Sequence, residues 1–421
     1  MSLHIGIVHW AFPPIIGGVE MHLLSVGPEV VRQGAEVTVL CGSVEGEPET
    51  ETVENMTIVR RDGMVPEQLD TLRERLGDER AREEIRTRSR RMFDTFLDTY
   101  AIDVVQAHNL HMDFPALSEA LIEACDARNI PAYLVLHNPI FIDRIDEEQQ
   151  NAASPILTDI AWERLVPISD YIHRVMSSTM PQIPEDRWTV IKHGIDIETF
   201  KPAPPERRRE LRKRFSFEGR PVILHTGRFL PWKGILPAIK AMPRIVREVP
   251  DALMVMPGRA ERVYKDADEL DEYDAQIDRF IEEHELQDHV HIQPYDREDI
   301  PRLTALADIV IYTTIGQEPF GLVPVEGMAC GNPVVVTNSG GMVESVVDGE
   351  TGFIIPRDEE ALPEALADRI VQLLMDPELR GRMGARGRRR VEEHFDRRRM
   401  ARDYIELSRR LLEQAQSTAD A

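Results

Sequence analysis

Short apolar runs alternate with longer stretches of mixed polarity along this chain. HIGIVHW (4–10), EVTVL (36–40), DVVQA (103–107), AYLVL (132–136) and RLVPIS (164–169) form a first series. Each run is short, rich in β-branched residues and bounded by polar or turn residues. That pattern predicts strands buried on both faces of a parallel sheet. Helical patterns fill the gaps at 19–32, 114–128 and 170–178. KPAPP (201–205) cannot continue a helix and predicts a connector. A second series then begins with RPVILHTG (220–227), ALMVMPG (252–258), HVHIQPY (289–295), DIVIYTT (308–314) and NPVVVTN (332–338). Its helical patterns fall at 234–247, 269–284 and 323–330, and the tail from 358 to 415 is almost wholly helical. The whole predicts an α/β chain of two similarly built halves with a cleft between them. Ligands of such sheets sit beyond the carboxyl ends of the strands.

Length agrees with two domains, at 421 residues and 48.0 kDa. No apolar run approaches the roughly 18 residues of a membrane span. The first residues carry no basic start and no small-residue cleavage site, so no secretory signal is read. Three separated cysteines, Cys41, Cys125 and Cys330, argue against a disulfide frame and for a reducing cytoplasm. The expected location is therefore cytoplasmic.

Charge removes further function classes. Lys+Arg is 50 against Asp+Glu 74, a formal −24. Nucleic acid is a poor partner for such a chain, because a basic stripe is the usual footprint. Residues 1–200 hold 17 basic and 34 acidic residues, and 201–421 hold 33 and 40. The first half therefore suits an anionic membrane or polyanion poorly. One local basic cluster, RTRSRR (86–91), lies in the charged helical stretch 67–97. With Glu79, Glu83 and Glu84 close by, it is expected to be a solvated face of mixed charge, with membrane contact as the less favoured alternative. The arginines of RGRMGARGRRR (380–390) are taken the same way.

Three segments carry candidate chemistry. Gly17 and Gly18 follow a strand and open a helix, where backbone N–H groups can approach an anion. A tight strand-to-helix turn would explain them equally well. In TGRFLPWKG (226–234), Arg228 follows a strand-ending glycine and Lys233 comes five residues later, although lysine occurs only six times in the chain. A planar fork and a point charge together suit a diphosphate. In GQEPFGLVPVE (316–326), Glu318 lies in a loop and Glu326 two turns into the next helix. Carboxylates accept hydroxyl hydrogen bonds, and the helix N-terminus offers amides to phosphate. The segment therefore suits a nucleotide sugar.

These residues resemble the retaining, nucleotide-sugar-dependent glycosyltransferases of the GT-B fold, the glycosyl transferases group 1 with paired glutamates. The resemblance rests on Gly17-Gly18, His137 in LVLHNP, KHGID (192–196), GR-x4-KG at 227–234, the Glu318/Glu326 pair and NSGGMVESVVDGETGF (338–353). It implies two Rossmann-like doubly wound parallel-sheet domains. Residues 1–198 would bind acceptor and 199–395 the nucleotide sugar, with the helix 396–421 packing back on the N-terminal domain. Arg228 and Lys233 should hold the donor diphosphate, Glu318 the sugar hydroxyls and Glu326 the ribose. Phe320, Gly321 and Leu322 should touch phosphate or sugar through their backbone. Gly18 should approach the diphosphate, and Tyr295 and Gly258 should lie near the nucleoside. His137 should face the transferred sugar, with Gly17 and His108 on the acceptor side. Two departures stand out. PGRAERVY (257–264) replaces a glycine-rich run, and His193 takes the place of a common asparagine.

The implied reaction is transfer of a hexosyl unit to a hydroxyl acceptor, which is a small molecule or a glycan. The expected cofactor is none and the expected metal none, with the catalytic roles on His137, Arg228, Lys233 and Glu318. Two alternatives stay open: a two-lobed sugar or nucleotide binding protein without catalysis, and a metal-dependent glycosyltransferase using Asp266 and Asp268. That acidic pair sits in KDADELDEYD and not at a strand end, so it is taken as solvated acid. His108 and His111 could pair on a metal, but more simply line the cleft.

Overall fold

The computed structural model describes residues 2–110, 115–139, 156–258 and 267–419. The chain divides into two units, Met1–Gly194 with Arg397–Ala421, and Ile195–Asp396.

The first unit holds a seven-stranded sheet in the order β3-β4-β2-β1-β5-β6-β7. The strands are β1 (His4–Val8), β2 (Glu36–Gly42), β3 (Thr50–Val53), β4 (Met56–Arg61), β5 (Val104–His108), β6 (Ala132–Leu136) and β7 (Arg164–Pro167). All pair in parallel except β3 with β4. Every residue of β5 and β6 is buried, which is why these strands read as continuous apolar runs. The strand order reverses between β1 and β5, the position where open sheets leave a crevice.

The hairpin β3–β4 is absent from the sequence expectation. Its turn residues Glu54 and Asn55 both take positive φ, 50° and 64°. That is the conformation a tight two-residue hairpin needs, reached here without glycine and therefore hard to see. The last helix, Arg397–Ala419, packs on the helix Gly18–Arg32 and on β5. The Gln33 amide donates to the Arg398 carbonyl at 2.9 Å, and Tyr133 and Ser408 meet through their hydroxyls at 3.2 Å.

The second unit holds six parallel strands in the order β10-β9-β8-β11-β12-β13. They are β8 (Val222–Leu224), β9 (Leu253–Pro257), β10 (Val290–Gln293), β11 (Ile309–Tyr312), β12 (Val334–Thr337) and β13 (Gly352–Ile355). Here the order reverses between β8 and β11. Ile223, Met254, Met256, Ile309, Ile311 and Val335 lie in one apolar core with helix residues such as Ile239, Ile245 and Leu366. Each such side chain contributes roughly 1.5–3 kcal/mol of burial free energy.

Charge clusters resolve differently. Around 86–91, Arg86 donates to Glu123 at 2.9 Å and Arg90 to Asp94 at 3.1 Å, and Arg82 pairs with Glu119. Mixed-charge pairing is what the sequence predicts there. In 380–390, by contrast, Arg388 is no solvated charge. Its Nη1 donates to the carbonyls of Ile197, Phe200 and Ala329 at 3.1, 2.9 and 2.8 Å. Arg390 likewise donates to the Ser345 carbonyl at 2.7 Å. These two guanidiniums tie loop carbonyls and the carbonyls at the ends of two helices, Ala329 and Ser345. Among the described residues, no helix is long and apolar enough to cross a membrane.

Candidate active site

In the second unit the candidate residues collect where β8 and β11 end. After β8, the Gly227 N–H donates to Nδ1 of buried His225 at 3.1 Å, and His225 Nε2 meets Thr313 Oγ1 at 3.2 Å. Burial lowers the His225 pKa to about 4, so its ring is neutral. The chain then makes a short 3-10 turn, Pro231–Lys233, and passes Gly234 with φ 68°. A Cβ on Gly234 would lie 2.0 Å from the Thr313 carbonyl oxygen. Only glycine allows this loop to lie against β11. Thr313 and Thr314 fix it by donating to the carbonyls of Gly234 and Trp232 at 3.0 and 2.8 Å.

This packing buries Lys233 to 7% exposure. Its ammonium donates to Glu318 Oε2 at 2.6 Å and to Tyr312 Oη at 2.6 Å. Tyr312, the last residue of β11, donates in turn to Glu318 Oε2 at 3.1 Å. Burial first, and the facing Glu318 carboxylate second, push the phenol pKa well above its usual value. Tyr312 is thus a neutral hydroxyl. Arg228 is exposed and within the electrostatic reach of Tyr312.

Glu318 is held from the other side by the segment after β12. Its N–H donates to Ser339 Oγ at 3.1 Å, and its carbonyl accepts from Gly341 N–H at 2.8 Å. Phe320 is buried, and Gly321, with φ 82°, precedes the helix Leu322–Ala329. Glu326 lies on that helix. Burial raises its pKa to about 7, against the opposing charge of Arg297. The Gly258 N–H donates to the Gln293 carbonyl at 2.7 Å, which ties β9 to β10. Tyr295 stacks edge-on against Phe215 with centroids 5.8 Å apart. Asp266 lies outside the described residues, as does the Asp268 side chain.

In the first unit the residues at the switch between β1 and β5 are histidines. His9 Nε2 meets Glu20 Oε1 at 2.9 Å, and His9 Nδ1 faces the His108 carbonyl at 3.1 Å. Both nitrogens face oxygen atoms. Glu20 also accepts from the backbone N–H groups of Gly17 and Glu20 at the helix start. Burial acts to raise its pKa, and the His9 hydrogen bond and charge outweigh that and lower it.

Beyond this pair runs a hydrogen-bonded row. Tyr133 donates to Gln106 Oε1 at 2.9 Å, which turns the amide nitrogen toward His108 Nε2, also at 2.9 Å. His108 Nε2 therefore accepts, and its Nδ1–H donates to His137 Nε2 at 2.8 Å. His137 Nδ1 then faces His193 Nε2 at 3.4 Å. His22 packs over the row, with ring centroids 4.5 Å from His193 and 4.9 Å from His137. Neither His22 ring nitrogen has a hydrogen-bond partner among the described residues. Burial drives His22, His108 and His137 well below the usual histidine pKa and brings His193 to about 3. The ligating nitrogens of His22, His108 and His137 lie within 4.8 Å of one another, the one group with metal-ligand spacing among the described residues. His108 Nδ1 and His137 Nε2 already share a proton at 2.8 Å. His111 lies outside the described residues.

The structure thus joins Lys233 with Glu318, and His108 with His137, as neighbours within their own units. Sequence reasoning did not single out Tyr312, His9, Glu20 or His22. Tyr312 sat inside an apolar strand run. The others gave one signal only: five of the chain's 13 histidines gather here, from positions spread over the first 193 residues.

Two doubly wound units, each with its chemistry at the strand-order reversal, define a GT-B glycosyltransferase, and the chain belongs to the glycosyl transferases group 1. Residues 206–390 match the family model Glycosyl transferases group 1, and residues 16–199 match Glycosyltransferase Family 4. Spore coat protein SA of Bacillus subtilis is 31% identical over 283 residues, 65% of this chain and 71% of that protein. A GDP-mannose-dependent alpha-(1-6)-phosphatidylinositol monomannoside mannosyltransferase of Mycolicibacterium smegmatis is 32% identical, over 46% of this chain and 49% of its own. An Anabaena protein solved in complex with UDP and glucose superposes with a TM-score of 0.72 at 19% identity, over 96% of this chain and 99% of that one. That last likeness carries the fold alone.

Proposed function

We propose that the protein is a retaining hexosyltransferase that moves a sugar from a nucleoside-diphosphate donor to a hydroxyl acceptor without a metal ion. One observation carries the reading: the cation expected to hold the diphosphate and the carboxylate expected to hold the sugar meet at 2.6 Å, at the strand-order reversal of the second unit. One relative is named for GDP-mannose and one structural neighbour was solved with UDP and glucose. The donor class is therefore a nucleoside-diphosphate hexose, with the base left to experiment.

In this reading Lys233 and Arg228 stabilise the charge that grows on the departing diphosphate as the anomeric C–O bond breaks. Glu318 accepts from hexose hydroxyls, Glu326 from ribose hydroxyls, and the amides of Phe320, Gly321 and Leu322 face phosphate or sugar. Tyr295 and Gly258 stand toward the nucleoside. The acceptor oxygen bonds to the anomeric carbon from the face the leaving group vacates, and its proton passes to a diphosphate oxygen. No carboxylate nucleophile is invoked. Gly17, Gly18, His108 and His137 carry the acceptor-side and sugar-orienting roles, with His137 held by its neighbours in one tautomer. The first unit serves the acceptor and the second the donor.

The test is incubation with UDP-, GDP- and ADP-hexoses in the presence of a cell extract. Released nucleoside diphosphate and a product of retained anomeric configuration by NMR are expected, with activity that survives EDTA. No donor consumed, and no donor raising the melting temperature by ligand linkage, would leave the noncatalytic alternative. Loss of activity in EDTA would restore the acidic pair at 266–268.

A further inference from the structure

The donor residues of the second unit converge on one side chain that the reading above leaves out. Tyr312 accepts from Lys233 at 2.6 Å and donates to Glu318 at 3.1 Å. Its ring lies 5.1 Å from the Lys233 ammonium, and a Cβ on Gly227 would come within 2.9 Å of its Cε2. It is 5% exposed and wedged against His225, with ring centroids 5.8 Å apart. Both motifs, GR-x4-KG and the first glutamate, therefore touch this phenol.

We propose that Tyr312 is a positioning residue of the donor site, whose hydroxyl keeps the Glu318 carboxylate aimed at the hexose while Lys233 serves the diphosphate. The inference rests on the donor reading given above. Its physical basis is a conflict of duties. Lys233 and Glu318 are each assigned to a different part of the donor, yet in the structure they neutralise one another. When the ammonium turns part of its donor capacity to a diphosphate, a carboxylate only 14% exposed on its side chain loses part of its cation. A buried acceptor left short of donors is costly. The phenol offers a second donor that carries no charge and cannot swing away, because packing fixes the ring. Its donation to Glu318 persists whichever way the lysine points. Glu318 then keeps the orientation that hexose hydroxyls require, and the chain gains this without adding a charge.

Tyr312→Phe removes the hydroxyl and keeps the ring. We expect kcat/KM for the nucleotide sugar to fall about 10–100-fold, mainly in kcat, with nucleoside diphosphate affinity unchanged within about threefold. In a Glu318→Gln background the same change should cost less than about threefold, since the two groups act as a unit. Wild-type kinetics in Tyr312→Phe overturn the proposal. So does a parallel fall of turnover, diphosphate affinity and melting temperature, which is the mark of a purely structural tyrosine. One readout needs no activity. With six lysines in the chain, the Lys233 ammonium is assignable by 15N NMR. Slow proton exchange in the wild type and fast exchange in Tyr312→Phe are expected, and equal exchange rates overturn the proposal. If the unsubstituted chain turns over no donor, the donor reading fails alone, and the NMR comparison still decides whether the phenol holds the pair.

Discussion

The two units place opposite chemistry at the same point of the same topology. Where the first sheet reverses order, between β1 and β5, buried imidazoles share protons in a row, and four of them are held neutral by burial. Where the second reverses, between β8 and β11, a lysine and a glutamate sit as a buried ion pair bridged by a phenol. The fold supplies a crevice in both cases, and the side chains decide what it offers. A neutral polar lining suits hydroxyl groups, and a charged lining suits a diphosphate. Architecture alone would not separate the two crevices.

The comparison breaks most visibly at Lys233. Lys233→Ala should lower turnover by about 10²–10³-fold, the usual loss when one preorganised stabiliser of developing charge is removed. Nucleoside diphosphate release checks it, and near-normal turnover would strip the second pole of its assigned role.

Acid should part the two units next. The lowered histidines of the first unit leave the unfolded chain to bind protons first, below its ordinary pKa near 6.5. Their stabilisation is therefore complete above that pH and is lost as pH falls toward the folded values, about 3 for His193. In the second unit two groups oppose one another. His225 loses stability as pH falls from 6.5 toward about 4, whereas Glu326 gains it as pH falls from about 7 toward 4.5. Between pH 7.5 and 5, opening of the first unit should become easier by several kcal/mol, about 2 for each histidine that stays neutral, and opening of the second should change little. Hydrogen exchange with mass spectrometry resolves the units separately. Equal slopes would erase the distinction.

Glu326→Gln sharpens the same contrast. It removes the group that stabilises the second unit in acid, so this unit should acquire a slope like that of His225 alone, a change of about 1–2 kcal/mol across the window. Melting curves at pH 5 and 7.5 test it, and an unchanged slope would mean that Glu326 is ordinary in the folded chain.

The smallest effect belongs to His22. Both its nitrogens are buried without hydrogen-bond partners among the described residues, so His22→Phe should stabilise the first unit by about 1 kcal/mol. A lower melting temperature would mean that the ring has a partner that phenylalanine cannot replace.

Much of this was legible in the sequence, for identifiable reasons. Strands such as VVQAH and AYLVL are buried on both faces and stand out as unbroken apolar runs. Lys233 and Glu318 stood out because a scarce residue type and a spaced acidic pair flank strand ends. β4 and β13 were overlooked because TETVENMTIVRR and DGETGFII interleave charge and glycine with only brief apolar stretches. Arg388 read as surface charge because carbonyls from 188 and more residues away do not appear in a local window.

Local sequence determined the alternation of elements and the two-part division, and it drew attention to Lys233 and Glu318 in the second part, because periodicity and motif spacing act over a few turns of chain. Tertiary structure alone decided that Tyr312 completes the Lys233–Glu318 pair and that His9, His22, His108, His137 and His193 share one buried volume. Those meetings join segments from different strand ends. Burial, which sets the proton state of each ring and phenol, exists only after the sheets have formed.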